Sequence, residues 1–555
     1  MENNFVSFLN SIQNYGAANQ NAIAEMAIQS PYFDKIQVKR EIVSFLHDKI
    51  NNNEFIILTG HAGDGKTTLL SQVIKSFDVE FSLLEPVGSI DLGDKNLLYA
   101  KDFSELTHEV QDKIIRSGFE KEQPVLLIAN TGPLMNSFKR VCPDCNETDI
   151  LSAMDTSAGK EIVYSDFGKV FILNIARIDN TDFIIHFLRN ILQDELWREC
   201  ESCQYKDVCH IISNRNILKN RFPYASKMIN DIYVWLQEYD KRATIRQMTA
   251  HFAFSLTGGM ACQDVARKAT PTMRYDYLFS NLFFGCKDAT LLPNTQNMEC
   301  IKLINEVGFD KKPTLIDYKL FNERDYSVLF VPPLSEILNE TINGSQLHKP
   351  EEVQTVIKRA YLFFGSDSNE DREEQRKHTF SEWFDIYLSL RNNGGNPIGK
   401  LKETIYQAIN TLFIGEMTTG EDSRSIINLT LRRNNEQTCN VQLLYGRIST
   451  EDISFKCVPE ETIVGYKQYR LMLNYKDLSY PIGLPLLNYF NEIHRGIILT
   501  DIDPLLSNGI DSLKAELLER CDKKYEDNEI PVVFLQGNRW TRRTLIINEH
   551  SIDHH

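Results

Sequence analysis

A glycine-rich stretch at residues 60–67 carries the clearest chemistry in the sequence. It reads GHAGDGKT and fits the pattern G-x-x-x-x-G-K-[ST], with the apolar run FIILT before it and the helix-like run TTLLSQVIKSF after it. In this pattern, backbone N–H groups and a helix N-terminus surround phosphate oxygens. The sequence therefore predicts a loop that binds the phosphates of ATP. The alternative is a structural glycine-rich loop that matches the pattern by chance.

Each residue of the loop has an expected role toward ATP and Mg²⁺. Lys66 is expected to reach the β- and γ-phosphates and to act in catalysis, and the Thr67 hydroxyl is expected to bind Mg²⁺. The other residues predicted to contact the nucleotide are Gly60, Gly63, Asp64, Gly65 and Thr68.

Two carboxylates follow the apolar run NLLYA, where a strand is expected to end. Asp102 is predicted to hold Mg²⁺, as an acidic residue at the end of a neighbouring strand does in such enzymes. Glu105 lies three residues further along and is a candidate for the base that activates water. Asp and Glu are also favoured at the start of a helix, so both residues could simply cap one.

Two further polar residues resemble positions of AAA+ ATPases. Asn130 ends the apolar run PVLLIAN and resembles the amide that contacts the γ-phosphate or the attacking water, although Asn also favours turns. Arg246 lies in ATIRQMTAHFAF and resembles the arginine that reaches the phosphates from a helical lid. An ordinary surface arginine is the alternative. Arg140 and Arg177 are open candidates for an arginine that acts on a neighbouring subunit.

A cysteine cluster is the second pattern with chemical meaning. Two C-x2-C pairs and a Cys-His pair supply six candidate zinc ligands: Cys142, Cys145, Cys200, Cys203, Cys209 and His210. We expect a structural zinc held by Cys200, Cys203 and Cys209, with the fourth ligand from the remaining three. Free thiols are the alternative. The other six of the eleven cysteines are scattered and predicted to be core or neutral positions, and none is expected in a disulfide.

The elements that must position these residues alternate between strand-like and helical runs. Strands are expected at 55–59, 81–85, 96–100, 124–130 and 170–176, the pattern of an α/β core with a parallel sheet. We divide the chain into the following parts: an N-terminal helical segment (1–50), a P-loop NTPase α/β core (51–180), a helical lid with the cysteine cluster (181–260), a mainly helical domain (261–420), and a mixed, β-rich C-terminal domain (421–555).

Composition excludes some functions. The net charge of −16 argues against a chain that coats nucleic acid by itself, so protein partners are expected, with DNA contacted through a complex. The basic run NRWTRRT (538–544) is expected to be an exposed hairpin tip, and contact with DNA or a partner is the alternative. MENNFVSFLN has no signal-peptide pattern, and apolar runs are too short to span a bilayer. We therefore expect a cytoplasmic protein without a membrane partner.

Together these motifs resemble a known family. GHAGDGKTTLL, YAKDFSE, LLIANTG, the C-x2-C-x5-CHIISN run, TIRQMTAHFAFSLTGG and RYDYLFSNLFFG look similar to DptF, the AAA+-like ATPase component of DNA-phosphorothioation-dependent restriction. The resemblance implies ATP bound by Gly60 to Thr67, Mg²⁺ held by Asp102, and two protein partners, one of them a translocase-like ATPase. DFSE stands where AAA+ proteins have adjacent acidic residues, so the resemblance does not imply rapid hydrolysis.

The sequence thus leads to one main functional hypothesis and two alternatives. The main hypothesis is an ATP-hydrolysing component of a bacterial antiphage or DNA restriction system, which couples nucleotide state to complex assembly or DNA degradation. The first alternative is an ATP-gated scaffold with negligible turnover. The second is a regulatory ATPase of a different defence system.

Overall fold

A computed structural model describes most of the chain. The described residues are 2–13, 30–79, 85–120, 122–143, 146–156, 158–164, 167–178, 181–288, 290–291, 295–344, 350–365, 368–415, 425–431, 439–460, 468–497, 502–521, 528–537, 539–548 and 551–554. They form two compact units, of which the first ends at Phe380 and the second begins at Ser381.

A six-stranded mixed sheet is the centre of the first unit. Its strands are β1 (Phe55–Thr59), β2 (Val87–Asp91), β3 (Asn96–Ala100), β4 (Val125–Ile128), β5 (Lys160–Tyr164) and β6 (Gly168–Asn174). The strand order is β2-β3-β4-β1-β6-β5, in which β3, β4, β1 and β6 are parallel and the edge strands β2 and β5 are antiparallel. The α/β core with parallel central strands is therefore confirmed, and the strand expected at 81–85 falls largely outside the described residues.

Helices make up most of the rest of the first unit. They are α1 (Asn4–Ser11), α2 (Phe33–Ile36), α3 (Ile42–Asn51), α4 (Lys66–Lys75), α5 (His108–Glu120), α6 (Thr131–Val141), α7 (Glu147–Met154), α8 (Thr181–Ile191), α9 (Arg198–Glu201), α10 (His210–Asn220), α11 (Phe222–Glu238), α12 (Ile245–Thr257), α13 (Cys262–Lys268), α14 (Met273–Asp276), α15 (Phe279–Phe283), α16 (Glu299–Val307), α17 (Asp317–Asn322), α18 (Leu334–Gly344), α19 (Pro350–Phe364) and α20 (Asn369–Thr379). A short hairpin, β7 (Cys286–Asp288) and β8 (Thr290–Leu291), interrupts them. In the described part of the chain, every helix is too short or too polar to cross a membrane.

The central strands are apolar throughout because both faces of the sheet are covered. Successive residues of β1 point to opposite faces, so Phe55 and Ile57 pack in one core with α5, α6 and α7. Ile56 and Leu58 pack in a second core with α3 and α4. The two cores hold the sheet between helical layers, so its carboxyl edge is a fixed platform for the loops that follow β1, β3 and β4.

Helix α12 has strong signals at both ends. Thr244 caps its N-terminus by accepting the N–H of Gln247, and the Gln247 side chain accepts the N–H of Thr244 in return. The helix ends at Gly258, whose φ of 61° is left-handed. These signals define where the helix begins and therefore where Arg246 lies.

The second unit combines helices with antiparallel strands. Its elements are α21 (Phe384–Asn393), α22 (Gly399–Ile414), β9 (Ile426–Thr430), β10 (Val441–Ser449), β11 (Ile453–Pro459), β12 (Tyr469–Tyr475), β13 (Leu478–Pro481), α23 (Leu484–His494), α24 (Pro504–Arg520), β14 (Glu529–Gln536), β15 (Arg539–Ile547) and β16 (Ile552–His554). They form a five-stranded sheet, β16-β15-β14-β10-β9, and a three-stranded sheet, β11-β12-β13. The β-rich C-terminal region is confirmed. Its core also contains Leu401 and Ile405 of α22, so this unit begins well before residue 421.

Candidate functional site

The glycine-rich stretch is a tight loop between β1 and α4. Gly63 and Gly65 have φ angles of 95° and 79°, which side chains other than glycine rarely adopt, and Gly65 directly precedes the first helical residue, Lys66. A Cβ on Gly63 would lie 2.9 Å from the Thr244 hydroxyl. The glycine pattern therefore has two physical causes: the turn itself and the close approach of the start of α12.

Lys66 points back over the loop. Its ammonium group donates to the carbonyl oxygens of Gly60, at 2.7 Å, and His61, at 3.0 Å. Burial lowers the pKa of Lys66, and the negative charges of Asp64 and Asp102 oppose that shift. The half-buried ammonium group of Lys66 therefore lies against the loop, where an anionic ligand can replace the two carbonyl oxygens as its hydrogen-bond acceptors.

The first turn of α12 contacts the loop directly. The Arg246 N–H donates to the Gly63 carbonyl over 3.0 Å, and the Arg246 side chain lines the same cavity as Lys66, Thr67 and Thr68. Burial lowers the pKa of Arg246 as well. The sequence therefore identified an arginine that the structure brings to the loop from a helix almost 180 residues away along the chain.

Asp64 faces away from the cavity. Its side chain is fully buried, its carboxylate accepts the His61 N–H at 3.0 Å, and it forms an ion pair with Arg242 at 2.9 Å. Arg40 adds a contact to the Asp64 carbonyl oxygen at 3.3 Å. Asp64 was expected to contact the nucleotide, but these contacts make it a residue that fixes the loop to its surroundings. Neither Asp64 nor Gly60 is among the described residues that line the cavity.

The carboxylate expected to hold Mg²⁺ lies across the cavity from the loop. Asp102 follows β3 and lines the cavity, while its side chain also accepts the Ser104 N–H at 3.1 Å and caps a short 3₁₀ turn, Phe103–Glu105. The Ser104 hydroxyl donates to Asp102 and is itself 3.4 Å from the Asn130 amide nitrogen. Asp102 and Asn130 therefore meet at the carboxyl ends of adjacent strands, β3 and β4.

Glu105 has a different position from Asp102. It ends the 3₁₀ turn with an exposed side chain and is not among the described residues that line the cavity.

In the described lining, Asp102 is the one carboxylate, while the cationic side chains are Arg40, Lys66, Lys101 and Arg246. This excess of positive charge suits a polyphosphate better than a neutral or cationic ligand.

Apolar side chains also line the cavity, whose volume is about 300 Å³, and we call them its apolar wall. They come from the N-terminal segment, β4, α8 and α12: Phe8, Ile12, Phe33, Ile36, Val38, Ile128, Phe183, Phe187 and Ile245. A cavity lined by both cations and aromatic or aliphatic groups can take a ligand that has an anionic part and a planar or apolar part.

Sequence reasoning missed Arg40, Arg242 and this apolar wall. Arg40 is buried against Asp64 and Arg242, and burial lowers its pKa to about 10. The preceding run DKIQVKRE shows only helical periodicity, and nothing in it marks one arginine as special. The two arginines considered as candidates for a neighbouring subunit are both paired: Arg140 with Asp112 at 2.7 Å, and Arg177 with Asp155 at 2.5 Å.

The cysteines expected to bind zinc divide into two groups. Cys200, Cys203 and Cys209 line one cavity of about 180 Å³, together with Cys262, which sequence analysis treated as a neutral position. Burial raises the pKa of Cys200 to about 11, and the nearby sulfurs of Cys262, Cys209 and Cys203 add to the rise. In the part of the chain that the structure describes, no group of three or more His, Cys, Asp or Glu side chains is arranged to hold a metal ion as it stands.

The other expected zinc ligands lie elsewhere. Cys142 is buried in the sheet core with α6 and is disulfide-bonded, which corrects both its assignment to zinc and the expectation that no cysteine forms a disulfide. Cys145 is outside the described residues. His210 is fully buried, with Nε2 2.8 Å from the Thr257 carbonyl oxygen, and burial lowers its pKa to about 4. That contact ties His210 to the end of α12.

Comparison with known proteins adds no assignment to this geometry. No family model, no curated protein and no solved structure matches the chain.

Proposed function

We propose that the first unit is an AAA+-like P-loop NTPase module that binds ATP with Mg²⁺ in the cavity beside the glycine-rich loop. The observation that carries this proposal is the convergence of Lys66, Thr67, Asp102 and Arg246 on one cavity. These residues come from three different segments, namely the loop and start of α4, the end of β3, and the start of α12, and each was expected at a phosphate or Mg²⁺ from its sequence context alone. If the loop matched the pattern by chance, we would not expect Asp102 and Arg246 to line the same cavity.

The residues present suit Mg²⁺ and phosphate. The Thr67 hydroxyl and the Asp102 carboxylate are oxygen ligands of the kind Mg²⁺ prefers, and both line the cavity. When ATP is bound, Lys66 would exchange its carbonyl contacts for phosphate oxygens, and Mg²⁺ would neutralise part of the triphosphate charge. Arg246 would add a second cation, and Asn130 would orient the γ-phosphate or a water molecule.

The apolar wall of the cavity supports a nucleotide rather than a free phosphate. Phe8, Phe33, Phe183 and Phe187 line the same cavity as the cations and offer aromatic surface to a base. Bases stack well on such side chains. Arg40 also lines the cavity and donates to the Asp64 carbonyl oxygen of the loop at 3.3 Å.

The single carboxylate in the described lining favours a second candidate function, an ATP-gated scaffold with slow turnover. Hydrolysis needs a group that positions or activates water in addition to the Mg²⁺ ligand. Glu105 was the candidate for that role, and its exposed 3₁₀ turn is outside the cavity lining. ATP hydrolysis remains our main proposal, and the scaffold is the alternative that a turnover measurement separates from it.

The biological role rests on the resemblance to DptF. On that basis we propose a cytoplasmic component of a bacterial antiphage or DNA restriction system, acting with a translocase-like ATPase and an accessory protein. The net charge of −16 supports contact with DNA through such partners rather than by this chain alone. A regulatory ATPase of a different defence system would use the same cavity.

The test is an ATP titration followed by phosphate release, with Mg²⁺ and with or without DNA. We expect saturable ATP binding by the full chain, weakened at least about tenfold by Lys66→Ala, which corresponds to about 1.4 kcal/mol. Lys75→Ala is the matched control, because this lysine ends the same helix and pairs with Asp34 at the surface. Wild-type turnover above that of Lys66→Ala supports the ATPase. Binding with turnover equal to that of Lys66→Ala supports the scaffold, and absence of ATP binding overturns both.

A further inference from the structure

A further cavity of the first unit, which we call the cysteine cavity, brings four cysteines together from three segments. Cys200 and Cys203 belong to α9 and the turn after it, Cys209 directly precedes α10, and Cys262 is the first residue of α13. All four are free thiols and only partly exposed. The separation of Cys262 from the others along the chain explains why no sequence motif includes it.

Backbone and side-chain N–H groups point at these sulfurs. The Asn3 side-chain amide donates to the Cys200 sulfur at 3.3 Å, and the Asn3 backbone N–H bonds the Cys262 sulfur. The Cys209 sulfur receives the N–H groups of Ile211 and Ile212 in the first turn of α10. Donors of this kind stabilise negative charge on sulfur and commonly surround metal-bound thiolates.

A role as four unrelated thiols fits less well. A buried structural role for single thiols does not explain why four of them border one cavity. Four soft ligands around a small space match the preference of zinc for tetrahedral thiolate coordination.

We propose that Cys200, Cys203, Cys209 and Cys262 bind one structural Zn²⁺ ion, with Cys262 as the fourth ligand. The thiols must rotate toward a common centre to bind it, since zinc–sulfur bonds are about 2.3 Å long. Four thiolates around Zn²⁺ carry a net negative charge, and the charged side chains that border the cavity are Lys206, Glu2 and Glu199. Cys262 replaces Cys142, Cys145 and His210, the three residues considered for the fourth position from sequence.

The ion would fasten parts of the fold that also border the proposed nucleotide cavity. Asn3 caps α1 at the cysteine cavity, while Phe8 in the same helix lines the nucleotide cavity. Asn10 of α1 donates to the Met260 carbonyl oxygen at 2.9 Å, next to the start of α13. Zinc would therefore hold α1 against the segment that follows α12, and its loss would loosen the apolar wall from a distance.

The test measures metal in the full-length protein and does not depend on nucleotide binding. We expect about one equivalent of zinc per chain by elemental analysis, and uptake of Zn²⁺ alone by protein stripped with a chelator. Co²⁺ uptake should give the absorption of four-sulfur tetrahedral cobalt. Cys262→Ser should weaken Zn²⁺ binding at least about tenfold and convert the cobalt spectrum to a three-sulfur type. Cys439→Ser, which changes an exposed cysteine of the second unit, is the matched control.

Wild-type protein provides a second measurement if Cys262→Ser does not fold. Alkylation followed by peptide mass mapping should find Cys200, Cys203, Cys209 and Cys262 protected in the zinc-loaded protein and labelled after chelation. Protection of a different set, or a Cys262→Ser variant that binds zinc as tightly as wild type, would overturn the assignment of the fourth ligand. Absence of zinc uptake by the stripped wild-type protein would overturn the site.

Discussion

The two sides of the proposed nucleotide cavity are built very differently. On the loop side, Gly63 meets the start of α12, and Asp64 is buried against Arg242, so the loop is fixed from several directions. On the opposite side, Asp102 caps a short 3₁₀ turn, and the hydroxyl of the exposed Ser104 links it to Asn130. If the cavity binds ATP as we propose, its phosphate-facing loop is more firmly held than the side that would position water.

The largest effect is expected at Asp102, the one carboxylate in the described lining of the cavity. Asp102→Asn keeps the side-chain size and the ability to cap but removes the charge that Mg²⁺ needs. We expect Mg²⁺-dependent turnover to fall on the order of 10³-fold, with ATP binding in the absence of Mg²⁺ unchanged. Asp94→Asn, which changes an exposed carboxylate just before β3, is the control. Equal turnover in Asp102→Asn and wild type would place Mg²⁺ elsewhere.

Low pH is expected to destabilise the loop side of the cavity through a buried histidine of α12. His251 lies in this helix, fully buried, with Nδ1 2.6 Å from the Tyr233 hydroxyl and Nε2 2.8 Å from the Phe283 carbonyl oxygen. Burial lowers its pKa from 6.5 to about 4. Between these pH values the unfolded chain binds more protons at His251 than the folded chain does. The contribution of His251 to the free energy of unfolding is therefore fully present above pH 6.5 and is lost as the pH drops toward 4.

The His251 contribution to that loss is up to about 3 kcal/mol in the free energy of unfolding. Denaturant titrations at several pH values measure it. His251→Gln should be less stable than wild type near neutral pH and should lose less stability between pH 6.5 and 4. Parallel curves for the two proteins would show that His251 is not held neutral in the fold.

A smaller effect is expected where the loop meets α12. Gly63→Ala places a Cβ 2.9 Å from the Thr244 hydroxyl at a φ of 95°. We expect about 1–3 kcal/mol of lost stability or ATP affinity, because either the loop or the start of α12 must move. Gly399→Ala, where a Cβ meets nothing within 4 Å, is the control. Unchanged stability and ATP affinity in Gly63→Ala would show that the start of α12 does not fix the loop.

The smallest effect is expected at Glu105. Its exposed position on the 3₁₀ turn predicts that Glu105→Gln changes phosphate release less than about threefold, since surface charges contribute little. Single-turnover phosphate release measures this directly. Loss of turnover in Glu105→Gln would show that Glu105 takes part in hydrolysis despite its exposed position. The side of the cavity that contains Asp102 would then be as well prepared for its role as the loop side.

Much of the core was predictable because its residues are adjacent in sequence or obey simple periodicities. Four parallel strands appear as continuous apolar runs, since both faces of the sheet are buried. The edge strands β2 and β5 were missed, because VGSID and KEIVY are not continuous apolar runs and most of their residues stay at least partly exposed at the edges of the sheet. Asp102 and Asn130 were found because polar residues that end parallel strands meet at one edge of the sheet.

The remainder depends on contacts between distant segments. Cys262 joins three cysteines more than 50 residues earlier, and Arg40 is distinguished only by burial against Asp64. The exposed position of Glu105 also follows from the geometry of one short turn, which the sequence DFSE leaves open. Local patterns identify residues whose side chains could bind a ligand or a metal ion, whereas packing decides which of them share a cavity.

The most direct test of ATP binding in this cavity is amide hydrogen exchange of the full chain with and without Mg²⁺-ATP. We predict slower exchange at the loop, residues 60–68, and also at the first turn of α12, because the two segments share the Gly63–Arg246 hydrogen bond. Lys66→Ala should show neither change at the same ATP concentration. Protection confined to other parts of the chain, or the same protection in Lys66→Ala, would contradict the account.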